Sequence, residues 1–228
     1  MKRSEINSVI REMEELIEKV GFALPPFCKW TPEEWETKGH EYDEIRDNML
    51  GWDITDYGLG RFREIGFSLI TLRNGNYRMS EKYPKTYAEK LLYLEEGQYA
   101  PMHFHWSKME DIINRAGADV LIRVYNSNAD ESIDEQSDVT VHTDGRAYTV
   151  PAGAQVRLRP GQSITITPRL YHDFTVEPGS GPTLLGEVSQ CNDDENDNRF
   201  EPPMGRFPAI EEDEPPYRLL CNEYPSAP

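Results

Sequence analysis

Apolar residues near the start of the chain recur at helical spacing. Ile6, Val9, Ile10, Met13, Leu16, Ile17 and Val20 follow one another at steps of three and four, the signature of a single helical face. Ser4 is expected to cap this helix and Gly21 to stop it. A stripe of this kind serves core or dimer packing. Beyond Pro25-Pro26, Thr31-Pro32-Glu33-Glu34 supplies a cap, a proline at the first helical position and an acid three residues after the cap. That combination predicts a second, short helix. HEYDEIRDNMLGWDITDYGLG (40–60) is polar, aromatic and punctuated by glycine, and reads as a helix followed by a loop.

The period changes near Phe67. Short β-branched and aromatic runs follow, separated by Gly, Pro, Asn and Asp: FSLITLR, NYRMS, YAEKLLYLE, YAPMHFHW, DVLIRVYNS, DVTVHT, RAYTVPA, QVRLR, SITITP, HDFTVEP and TLLGEVSQ. Many short strands with few helices predict a mainly β sandwich or barrel. Asp144-Gly145 marks a two-residue hairpin, because both central residues must tolerate positive φ. The acidic NSNADESIDEQSD reads as a solvated loop. The proline-rich tail from Asn192 is expected to wrap the surface without forming a domain. The expected organisation is one domain over 1–228, with 1–60 as an N-terminal helical extension packed on the barrel.

Charge narrows the partners. With 24 Lys and Arg against 41 Asp and Glu, the chain carries a net −17. Such a field repels nucleic acid and anionic membrane surfaces, so neither is an expected partner. No apolar run is long enough for a membrane helix, and the charged N-terminus is no signal peptide. Three scattered cysteines suit a reducing cytoplasm and no disulfide framework.

The chemistry concentrates in GQYAPMHFHWSKMEDIINRAG (97–117). His103 and His105 are two apart, so on a strand both project to one face. Glu110 follows after a gap that suits a tight turn into the next strand. Two imidazoles and a carboxylate brought together in this way suit a metal ion. Gly97 and Gly117 fit sharp turns at the two ends. The string resembles the first cupin motif, G-x5-H-x-H-x4-E-x6-G, at every spaced position. The resemblance implies a cupin fold, a double-stranded β-helix or jelly-roll barrel, and a further histidine from a second motif. Gly161, Pro168 and His172 approximate that motif with altered spacing and without its second glycine, so the turn before His172 must depart from the family norm. His142, beside the hairpin turn, and His40, in the polar N-terminal segment, are read as surface residues. The ligand set is therefore His103, His105, Glu110 and His172. N3O ligation suits Mn, Fe, Co, Ni or Zn.

LPPFCKW, EYDEIRDNMLGWDITDYG, ITLRNG, KLLYLEEGQYAPMHFHWSKMEDIINR and GEVSQCNDDENDNRF together resemble the D-lyxose isomerase family of cupin sugar isomerases. The resemblance runs from the first helix to about Phe200. It implies interconversion of D-lyxose and D-xylulose, with D-mannose and D-fructose as a second pair. It also implies a Mn2+-dependent homodimer acting on a small neutral sugar, and it carries the metal role onto the four residues above. An open-chain sugar would place O1 and O2 on the ion, and a proton would pass between C2 and C1 through a cis-enediol.

Glu187, a carboxylate inside the apolar run TLLGEVSQ, is the candidate base, since burial would strengthen it. Lys108 and Lys90 are candidate donors to substrate oxygens. Asp193, Asp194 and Arg199 are candidate contacts to sugar hydroxyls. Trp52 could offer a stacking surface and Asp53 a hydroxyl acceptor. The ligand set alone also fits an iron cupin dioxygenase, and a non-catalytic sugar-binding cupin is the remaining alternative.

Overall fold

The computed structural model describes residues 1–194 and 196–228. Two antiparallel sheets face each other. The larger runs, from one edge to the other, β1 (Gly51–Thr55), β2 (Phe67–Arg73), β3 (Tyr87–Leu94), β13 (Thr183–Gln190), β5 (Glu110–Gly117), β11 (Ser163–Ile166), β8 (Val139–Thr143) and β9 (Arg146–Val150). The smaller runs β10 (Gln155–Leu158), β6 (Val120–Ser127), β12 (Tyr171–Val176), β4 (Tyr99–Phe104) and β14 (Arg199–Phe200), with β7 (Ile133–Asp134) paired to β6. This is the mainly β, jelly-roll architecture expected of a cupin. The hairpin between β8 and β9 turns on Asp144 (φ 50°) and Gly145 (φ 80°), both left-handed as predicted.

Alternation along the strands assigns each side chain to a face. On β3, Lys90, Leu92 and Leu94 point between the sheets, and Leu91 and Tyr93 point outward into a second core. That outer core is built by α1 (Arg3–Lys19), whose Ile6, Ile10, Met13 and Ile17 cover Ile54, Ile70 and Leu184. Buried on both faces, β3 reads as a nearly continuous apolar run. Two short helices, α2 (Pro32–Trp35) and α3 (Asp43–Asp47), complete the N-terminal segment, and Thr31 forms the predicted capping box with Glu34. No helix among the described residues is long and apolar enough to cross a membrane.

Four local expectations need correction. The cap of α1 is Lys2, not Ser4. Ser4 lies in the first turn, where Asp213 from the tail accepts both its backbone N–H (2.9 Å) and its hydroxyl (2.7 Å). The side chain that satisfies this first-turn N–H thus comes from far along the chain, where a local reading does not look. Residues 51–55 are a fully buried strand at the sheet edge and not a loop, since Asp53 interrupts their apolar pattern. NYRMS holds a single 3-10 turn, Tyr77–Met79, because the Asn76 side chain accepts the N–H groups of Arg78 and Met79. The tail does wrap the surface, yet it also enters the core. Leu220 and Cys221 are buried, and Tyr224 stacks on Trp35 at 3.8 Å.

Arg3 ties the tail to α1. Its guanidinium is nearly enclosed and bonds Glu212 (2.7 Å) and Glu223. We expect Arg3→Ala to destabilise the fold by on the order of 2 kcal/mol, the usual effect of losing charge-assisted hydrogen bonds. Thermal unfolding checks this, and an unchanged melting temperature would show the tail to be a passive cover.

Candidate active site

The inward positions of the larger sheet change character along its length. At one end Leu92, Leu94, Ile112 and Leu185 fill the barrel, and at the other stand Lys90, Glu110, Glu187 and Ser189. Register explains the cluster. Glu187 lies opposite Lys90 across one neighbour, and Ser189 lies opposite Glu110 across the other. The smaller sheet contributes from across the barrel, where His172 on β12 pairs directly with His103 on β4. His105 sits one residue beyond the end of β4, at the barrel mouth.

The three imidazoles converge, each offering a nitrogen within 4.8 Å of the other two. Their tautomers follow from their hydrogen bonds. Nδ1 of His103 faces the Pro101 carbonyl at 2.8 Å, that of His105 the Asp197 carbonyl at 2.7 Å, and that of His172 the Leu170 carbonyl at 3.1 Å. A carbonyl only accepts, so each Nδ1 carries a hydrogen, and the lone pair of a neutral ring is then on Nε2. Nε2 of His105 and His172 have no hydrogen-bond partner among the described residues. Oε1 of Glu110 nevertheless stands 3.4 Å from the first and 3.2 Å from the second. Lone pairs facing a carboxylate oxygen at such range repel unless a cation lies between them. Protonation is the alternative, and the surroundings oppose it. Burial, then the neighbouring His172 and His105, pushes His103 well below the ordinary imidazole range. Burial, then Lys108, lowers His105. Burial opposes ionisation of Glu110, but Lys108 and His105 outweigh it and hold the carboxyl well below its usual range. Neutral His103 and His105 beside an ionised Glu110 are the protonation states that metal ligation needs. The donor set therefore fits a divalent ion.

The turn that delivers His172 shows how the irregular second motif works. Arg169 adopts a left-handed backbone (φ 65°), the N–H of Leu170 donates to the Thr167 carbonyl at 3.1 Å, and Arg169 N–H donates to the His105 carbonyl at 2.7 Å. Arginine here takes a conformation that usually selects glycine. The last of these bonds fixes the two histidine-bearing segments to each other.

Beside the imidazoles lies a buried charge network. Nζ of Lys108 is 2.7 Å from Glu110 Oε2 and 3.2 Å from Glu187 Oε1. Nζ of Lys90 is also 3.2 Å from Glu187 Oε1, and it donates to Asn192 at 2.7 Å. Ser189 donates to the same glutamate oxygen at 3.1 Å. Burial lowers the basicity of Lys108, and the carboxylates of Glu110 and Glu187 more than restore it, leaving its pKa above the ordinary lysine range. A cavity bounded by His103, His105, Glu110, Glu187, Lys90 and Lys108 opens between these groups.

Of the twelve residues singled out from sequence, the structure brings seven together around the imidazoles. They are His103, His105, Glu110, His172, Glu187, Lys108 and Lys90. Asp194 also borders the cavity; desolvation opposes its ionisation, but Arg206, then Lys90 and the Asn192 hydrogen bond, outweigh it and hold its carboxyl below the ordinary aspartate range. Asp193 turns instead to Asn196 and the outer cleft. Arg199 pairs with Glu201 at 3.1 Å and Glu131 at 3.6 Å, away from the cavity. Trp52 is no stacking surface, because its ring is buried under α1 and its indole N–H donates to the Cys28 carbonyl at 2.7 Å. Sequence reasoning missed Arg206, Asn192, Tyr57 and Phe200, which line the cavity. Arg206 lies in a proline-rich stretch with no periodicity, and its pairing with Asp53 spans most of the chain.

The family model described as D-lyxose isomerase matches residues 1–224. A D-lyxose/D-mannose isomerase of Serratia proteamaculans is 44% identical over 225 residues, covering 98% of each chain. The protein of that name from Escherichia coli O157:H7 is 43% identical, again over 98% of each. Among solved structures, the L-ribose isomerase of Cellulomonas parahominis with L-ribose superposes with a TM-score of 0.58. That likeness covers 92% of this chain and 98% of that one, at 18% identity, and it shows the shared fold.

Proposed function

The chain belongs to the D-lyxose isomerase family, and from that premise we propose that it interconverts D-lyxose and D-xylulose, and D-mannose and D-fructose, with Mn2+ as its cofactor. The observation that supports this most is the buried carboxylate of Glu187 beside the converging histidines, a base next to a place for a Lewis acid. A divalent ion held by His103, His105, Glu110 and His172 would stabilise negative charge on the oxygens at C1 and C2 of an open-chain sugar.

The remaining work falls to side chains of the cavity. Glu187 takes the proton from C2 of the aldose and returns it to C1, passing through a cis-enediol. Lys90 and Lys108, each 3.2 Å from its Oε1, balance its charge while it is ionised. Lys108 supplies a proton to one sugar oxygen as the other gives one up, so the lysine ends as it began. The apolar end of the barrel, with Leu92, Ile112 and Phe174 against the cavity, limits the water that reaches the enediol. Three acids, Glu110, Glu187 and Asp194, line the cavity against Lys90, Lys108 and Arg206, so no cationic excess is left over for a phosphate and a neutral sugar fits better. On this reading 1–228 is one domain with 1–60 as its extension, and the protein is a cytoplasmic homodimer. Free, buried cysteines at 28, 191 and 221 agree with a reducing compartment.

The direct test is proton NMR of D-lyxose in D2O with metal-stripped protein, before and after Mn2+. D-xylulose is expected only after the metal is added, with deuterium entering at C1. Absence of xylulose with Mn2+, Co2+, Fe2+, Ni2+ and Zn2+ in turn would overturn the substrate assignment.

A further inference from the structure

Charges of alternating sign run from the histidines toward the outer cleft. Glu110, Lys108, Glu187 and Lys90 form the inner part. Asp194, Arg206 and Asp53 form the outer part, with Arg206 Nη2 lying 3.2 Å from Asp194 and bonded to Asp53. Asn192, Asp194 and Arg206 border both the inner cavity and the cleft, and Asp53 borders the cleft. The outer group is incompletely satisfied. Asp53 is only 5% exposed, and its Oδ1 has no hydrogen-bond partner among the described residues. Nη1 of Arg206 is in the same condition. Buried polar atoms are nearly always paired, so an unused acceptor beside an unused donor points to a ligand.

The chemistry of that ligand follows from the pair. A hydroxyl both donates and accepts, so two neighbouring hydroxyls can satisfy Asp53 Oδ1 and Arg206 Nη1 together. A phosphate would meet two carboxylates for one guanidinium and is disfavoured. We propose that Asp53 and Arg206, steadied by Asp194, form the subsite that reads the C4 and C5 hydroxyls of the sugar. These are the hydroxyls most remote from the reacting C1 and C2, which the inner cavity holds. The inference rests on the isomerase reading above and adds the specificity-determining residues at the far end of the substrate.

The test compares D-lyxose with 5-deoxy-D-lyxose, in the unsubstituted protein and in Asp53→Asn. In the unsubstituted protein, kcat/KM is expected to fall about tenfold on removing the C5 hydroxyl, as when a polar subsite is left unpaired. In Asp53→Asn, D-lyxose is expected to show a KM raised about tenfold with kcat changed little, and the deoxy penalty should vanish. A merely structural role for Asp53 would lower kcat for both sugars by one factor and keep the penalty, which would overturn the proposal. A deoxy penalty below about twofold in the unsubstituted protein would overturn it without any variant. If the unsubstituted protein turns over no D-lyxose, the isomerase reading fails and the subsite falls with it.

Discussion

Replacing His105 by alanine is expected to abolish metal loading and lower kcat/KM for D-lyxose by at least about a thousandfold, well beyond the 10–100-fold seen when groups supporting a ligand are lost. The expectation follows from tautomers and charge. Three Nδ1–H groups are committed to carbonyls, so the three Nε2 atoms are the ones left to face the buried pocket and Glu110. Without His105 the cluster keeps two imidazoles and a carboxylate, and the ion loses the ligand nearest the barrel mouth. Loss of the ion should also appear as lost stabilisation. A ligand present at 100 times its Kd stabilises the fold by about 2.7 kcal/mol. Mn2+ should therefore raise the melting temperature of the unsubstituted protein and leave that of His105→Ala unmoved. Calorimetric titration supplies the stoichiometry, expected to be one ion per chain and none in the variant. If both proteins titrate alike, the histidines are a packing cluster and the metal lies elsewhere.

What the sequence shows and what it hides divide along a physical line. His103, His105 and Glu110 are close in the chain, so spacing alone places them at the end of one strand and the start of the next. His172 is recovered from a motif that the chain honours only loosely, because Arg169 accepts the left-handed backbone that glycine would ordinarily supply. Glu187, Lys90 and Lys108 stand out as charges among apolar or turn residues; register sets Glu187 beside Lys90, and the turn before β5 delivers Lys108. Arg206 gives no such sign. Its role depends on a tail that crosses from β14 back over β1, and tail geometry is set by contacts such as Arg3–Glu223 and Tyr224–Trp35 that no local period encodes. Asp53 drew attention only through unusual local composition, and its strand was hidden for the same reason: a buried acid interrupts the alternation that would reveal it. The ligand set by itself suits an iron dioxygenase as well as an isomerase. Family likeness over nearly the whole chain separates the two.

Replacing Glu187 by glutamine tests the proton-transfer half of the proposal separately from the metal half. We expect kcat for D-lyxose to fall about a thousandfold, within the range lost when a positioned general base is removed. KM should change little, because the substitution keeps the shape of the side chain and leaves the hydroxyl contacts in place. Mn2+ titration should stay at one ion, since Glu187 is not among the expected ligands. Deuterium exchange at C2 of unreacted D-lyxose should disappear along with turnover, as one carboxylate both removes and returns the proton. Some stability will be lost as well. Lys90 and Lys108 would lose the carboxylate they share in a buried setting, and removing one partner of a buried pair is unfavourable. Assays should therefore be run well below the melting temperature of the variant. A variant that binds Mn2+ and retains more than a tenth of the original kcat would remove Glu187 from the proton path. Lys108 and Asp194 would then be the next groups to consider, because both are charged and border the same cavity.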